Sequence, residues 1–124
     1  PGSGWAVSKL NNLIKEIANT AKAKTLGFNE VMLPVAEDNL LKKRVAEGSV
    51  TLRDLTYLTA YCLVGVDMVV MRRDHNIIKG ILQDVYSSAI LKGKVIGVRV
   101  IPVDEDEGNL VDLGRFGKVP VIKY

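Results

Sequence analysis

The run Thr59-Ala60-Tyr61-Cys62-Leu63-Val64-Gly65-Val66-Asp67-Met68-Val69-Val70-Met71-Arg72-Arg73-Asp74 constrains this chain more than any other segment. It sets the one cysteine ahead of a glycine, then an apolar stretch broken only by Asp67, then a charged loop. Cys62 stands at the end of a helical pattern, Gly65 relaxes the turn that follows, and residues 66–71 carry a strand into Arg72-Arg73-Asp74-His75.

The flanking segments alternate between helical and extended patterns. Apolar residues Val7, Leu10, Leu13, Ile14, Ile17, Ala18 and Ala21 recur at spacings of three and four, which predicts a helix over 7–26 stopped by Gly27. Residues 30–33 read as a short buried strand closed by Pro34. Asp38 or Asn39 caps a helix running to Glu47, and Thr51-Leu52-Arg53-Asp54 has the form of a capping box opening a helix to Tyr61. Asp74 caps a long helix whose apolar face carries Ile77, Ile78, Ile81, Leu82, Val85, Ala89 and Ile90, with Gly93 as its stop. The β-branched run 95–103 is the clearest strand, and 110–113 and 119–122 are short extended candidates around Gly114-Arg115-Phe116-Gly117. Helices alternating with three apolar strands predict an α/β domain with helices packed on a mostly parallel sheet.

Composition narrows the class of function. A chain of 124 residues with 48% hydrophobic content suits one domain with an ordinary core. Seventeen basic against fourteen acidic residues leave +3, too small and too evenly spread to call for nucleic acid. A single cysteine excludes an internal disulfide and any multi-cysteine metal site, so a reducing, cytoplasmic setting is expected. No apolar stretch reaches the length of a membrane span, and no membrane partner is expected.

With this order in hand, Gly27-Phe28-Asn29-Glu30-Val31-Met32-Leu33-Pro34-Val35-Ala36-Glu37-Asp38, Thr51-Leu52-Arg53-Asp54-Leu55 and the Cys62-to-Asp74 run resemble the domain-of-unknown-function family 711, the "PFL family" of uncharacterised proteins. The likeness extends to Val98-Arg99-Val100-Ile101-Pro102-Val103 and to Gly114-Arg115-Phe116-Gly117-Lys118-Val119-Pro120-Val121. It implies the C-terminal portion of a longer architecture, similar in fold to pyruvate formate-lyase-like glycyl radical enzymes, whose β/α barrels hold a cysteine on a central loop and a glycine on a C-terminal one. The segment 114–117 lacks the pattern around a radical glycine. Arg72-Arg73-Asp74 stands where relatives would carry a proline-glycine-aspartate turn.

Several residues are candidates for chemistry. Cys62 reads as a nucleophile, a radical carrier or a small packed hydrophobe, with burial favoured because no cation is fixed beside it by sequence. Glu37 and Asp38 follow Pro34 at a strand-to-helix junction where ligand groups gather in α/β folds, although capping by Asp38 and solvation of Glu37 explain them more simply. Asp67, entering an apolar strand, needs a partner when buried, and Arg99 in the 95–103 strand is the candidate. Arg72, Arg73 and His75 flank a helix N-terminus suited to a small anionic ligand, with a solvated loop as the simpler account. The expected function is a cysteine-dependent or ligand-binding portion of a barrel-family enzyme of unknown reaction; the alternative is a non-catalytic regulatory or small-ligand-binding module. The cofactor is unknown: the chain has no glycine-rich phosphate loop, metal-binding histidine pair or dinucleotide fingerprint to name one. A homo-oligomer, or association with the missing N-terminal portion, is expected, because a partial barrel exposes edges and apolar faces.

Overall fold

The computed structural model describes residues 1–26, 29–61 and 64–124. Among the described residues four α-helices pack around a two-stranded parallel sheet, with a small antiparallel pair beside it. The helices are α1 (Ser3–Thr20), α2 (Asn39–Ala46), α3 (Leu52–Thr59) and α4 (His75–Lys92). The parallel strands are β1 (Gly65–Arg72) and β2 (Gly97–Val103), joined through α4, and the antiparallel strands are β3 (Leu110–Asp112) and β4 (Lys118–Pro120). The α/β organisation with a parallel core pair agrees with the alternation in the sequence.

Helix ends follow local chemistry. The Asp38 carboxylate accepts the Leu41 amide at 2.7 Å and starts α2. Thr51 and Asp54 close a complete capping box on α3, the aspartate standing in for the usual longer acid. Asp74 accepts the amides of Asn76 and Ile77 at the head of α4, and Gly93, at φ 59°, ends it.

Two expectations are corrected. Helix α1 stops at Thr20 instead of running to Leu26, because Lys22 turns left-handed at φ 51°. The Ala23 amide then donates to the Ala18 carbonyl and the Lys22 amide to Asn19, a Schellman closure built without glycine. Gly27, the expected stop, lies outside the described residues. Residues 30–33 form no strand: Pro34 makes one parallel bridge to Asp67, and the Val64 amide reaches the Val31 carbonyl at 3.4 Å. Pro34 has no donor, and β1 is irregular opposite it, so a ladder cannot propagate. The chain turns instead into a 3₁₀ turn, Val35–Glu37.

That irregularity organises the sheet. Val66 pairs with Val98 and Val69 with Val100, so Asp67 and Met68 together oppose Arg99 alone. Met68 takes φ 50°, a left-handed conformation costly for a side chain of its kind. The extra residue shifts the alternation by one. Val66, Val69 and Met71 consequently share the face packed with Ile81 and Val85 of α4, Val35, Leu55 and Ile122. Val98 and Val100 of β2 join this cluster, while Val70 packs on the opposite face with Ala36, Val119, Val121, Met68, Ile101 and Val103. Strands β3 and β4 cover that second face, tied back by the parallel bridge of Ile122 to Met71.

Candidate functional site

The two parallel strands begin on a matched pair of tripeptides, Gly65-Val66-Asp67 and Gly97-Val98-Arg99. At Gly65 a Cβ would lie 1.9 Å from the Gly97 carbonyl oxygen, so the strands can start this close together only without a side chain there. Two residues further on, the oppositely charged positions face each other. Asp67 is 4% exposed, and Arg99 grips its carboxylate with two donors, Nε on one oxygen and Nη2 on the other at 2.7 Å. Such side-on pairing satisfies a buried carboxylate that would otherwise be costly.

The outer side of Arg99 is open. Its side chain is 59% exposed, and the Glu37 carboxylate approaches Nη2 at 3.9 Å from the 3₁₀ turn. The hydrogen bond to Asp67, against partial desolvation and with its charge and that of Glu37 adding to the effect, holds the guanidinium above its ordinary pKa. Beside the pair lies a cavity of about 400 Å³, lined by Met32, Val64, Gly65, Asp67, Gly97 and Arg99 among others. A half-open guanidinium fixed by a buried carboxylate at the mouth of a largely apolar cavity presents its remaining donors in a set orientation, which suits a carboxylate or phosphate.

The other candidates lie elsewhere. Asp38 is consumed as the α2 cap. Arg72, Arg73 and His75 sit at the far end of β1 and the start of α4, beside a second cavity of about 280 Å³. There Arg72 pairs with Asp106 at 3.1 Å and Arg73 with Asp104 at 2.9 Å, while Asp74 occupies the first amides of α4. His75 is exposed. Cys62, proposed as the catalytic residue, lies outside the described residues. Residues 114–116 form a 3₁₀ turn between β3 and β4, with the Phe116 carbonyl accepting from Lys42 at 2.7 Å.

The sequence reading paired Asp67 with Arg99 but missed three features. It missed the two-for-one break at Met68, although aligning the two tripeptides leaves Met68 as the unmatched residue before the following valine. It missed that Gly65 must lack a side chain because the Gly97 backbone lies against it. It also missed a triad around a largely buried Glu30 carboxylate, to which Lys92 from within and Lys94 from the exposed surface each donate at 2.6 Å. The Glu30 side chain is 8% exposed; burial works to raise its pKa, but the two lysines outweigh it and hold the carboxyl below its ordinary value. Among the described residues no three His, Cys, Asp or Glu side chains gather as a metal site, and no helix is long and apolar enough to cross a membrane.

Comparison with known proteins gives the site its family but no reaction. The family model "Uncharacterised ACR (DUF711)" matches residues 1–114. Among similar proteins, a UPF0210 protein of Methanopyrus kandleri is 36% identical over 126 residues, and those of Sulfurisphaera tokodaii and Lacticaseibacillus paracasei are 31% and 32% identical over 125 and 126. Each alignment covers 98% of this chain but only 28% of the relative, so the chain spans little more than a quarter of the length of these proteins. No solved structure matches the chain at a significant level. With nearly its whole length matched by the family model and by these relatives, the chain belongs to the uncharacterised DUF711 (UPF0210) family.

Proposed function

We propose that this domain holds a small ligand bearing a carboxylate or phosphate at the Arg99 end of the parallel pair, as the ligand-binding part of a larger family enzyme. One observation carries the reading. The chain spends a left-handed Met68 and a glycine-to-glycine approach at the point where a buried Asp67 orients Arg99 toward a cavity. Strain and bulges of this kind concentrate at sites that bind or react. Glu37, across the guanidinium, would favour a ligand that also carries a hydroxyl or amine. The likeness to glycyl radical enzyme barrels adds a role for Cys62, three residues before Gly65 in sequence, as the group that acts on the held ligand.

The test is a titration of the protein with inorganic phosphate and with simple hydroxy- and amino-carboxylates, followed by amide and arginine Nε NMR. Shifts centred on Gly65, Gly97 and Arg99 are expected, and they should vanish in Arg99→Gln. A response confined to Arg72, Arg73 and His75 would move the site to the other end of β1. No response at either end would leave Asp67 and Arg99 as a structural ion pair and overturn the proposal.

A further inference from the structure

Helix α1 turns its apolar stripe away from the domain. Leu10, Leu13, Ile14 and Ile17 follow the three-and-four spacing of a buried helix face, yet they are 39–59% exposed, and Trp5 on the same helix is 69% exposed. The one buried residue of α1 is polar: Asn11, whose side-chain oxygen accepts the Val31 amide at 2.7 Å. Val7 completes the inward contact against Leu58. The helix is therefore anchored by its less apolar side, with the stripe left in water, an arrangement that signals a covering partner.

A second surface is also left unfinished. Ile14, Lys15, Ala18 and Asn19 border a cavity of about 380 Å³ together with Lys94, three residues before β2 begins at Gly97. Among the described residues β2 pairs only with β1, and a two-stranded parallel sheet with an open edge is marginal by itself.

We infer that the α1 stripe and the β2 edge are a docking surface for the part of the family polypeptide outside the region this chain matches. That region makes up only 28% of the relatives' length, so far more family polypeptide is available to cover the surface than the chain itself supplies. A second copy of the chain is the poorer occupant. Two-fold pairing of β2 edges runs antiparallel, whereas a family sheet continued through further crossovers adds its next strand parallel.

Hydroxyl-radical footprinting of the isolated chain, and of the full-length Methanopyrus kandleri relative with this chain in place of its matched region, tests the inference. Trp5, Leu10 and Leu13 should be oxidised readily in the isolated chain and fall to the level of buried Leu55 in the full-length protein. The pair Leu13→Asp and Ile17→Asp should leave the thermal midpoint of the isolated chain unchanged and lower that of the full-length protein. Equal oxidation in both settings, an insoluble full-length protein, or loss of fold in the isolated double variant would overturn it. So would protection in the isolated chain that grows with its concentration, which assigns the stripe to a second copy.

Discussion

The two ends of β1 carry the same residue types and use them in opposite ways. At its start one carboxylate and one guanidinium meet with the carboxylate buried, the backbone strained at Met68 and the neighbouring strand in near contact. At its finish Arg72 and Arg73 meet Asp106 and Asp104 with all four side chains more than half exposed. Water screens the second pair of bridges and lets either partner leave at little cost, whereas removing Arg99 would leave Asp67 with its desolvation uncompensated. Charge alone therefore does not mark a site; the degree to which the fold has committed a charge does.

The comparison can be broken at its strongest point first. Gly65→Ala should destabilise the chain by about 3 kcal/mol in equilibrium denaturation, because the new Cβ meets backbone rather than a movable side chain. Arg99→Met should come next, lowering the denaturation midpoint by more than Arg72→Ala and Arg73→Ala combined. A smaller effect than that pair would mean that Asp67 is reached by water. The Glu30 triad offers a measurement by pH. Its carboxyl is held below the ordinary 4.5, so its ion pairs contribute stability that is fully present above that value and is lost as pH falls through the depressed one. Stability curves against pH should show that acid loss, and Glu30→Gln should flatten it. Smallest of all, Arg73→Ala should change stability by no more than about 0.5 kcal/mol, and salt should erase the difference.

What the sequence disclosed follows the range of the interactions involved. The caps at Asp38, Thr51 and Asp74 and the stop at Gly93 are decided within four residues, and each is legible as a short pattern. The early end of α1 is local too, but Lys22 in a left-handed turn carries no compositional signal. The segment 30–33 has a strand's composition and lacks a strand's partner, because β1 bulges where its ladder would form. The Asp67 and Arg99 pair was legible because a carboxylate and a guanidinium each interrupt an apolar strand. Its geometry was not, since the bulge appears only when β1 is laid against a strand 32 residues away in sequence. Glu30 and its lysines lie 62 and 64 residues apart and look like ordinary surface charges until the fold brings them together and shields the carboxylate and Lys92.

The account rests on Met68 being a true extra residue in β1, and deleting it tests this most directly. A one-residue deletion inside a buried strand ordinarily sends every later side chain to the wrong face. Removing Met68 should instead set Asp67 opposite Arg99 in a regular ladder, keep Val69 and Met71 on the α4 face, and lower stability by no more than about 2 kcal/mol. Deletion of Val100 from β2, a strand with no extra residue, serves as the control and should abolish folding. If losing Met68 proves as destructive as losing Val100, β1 holds no spare residue, and the site built on its irregularity is contradicted.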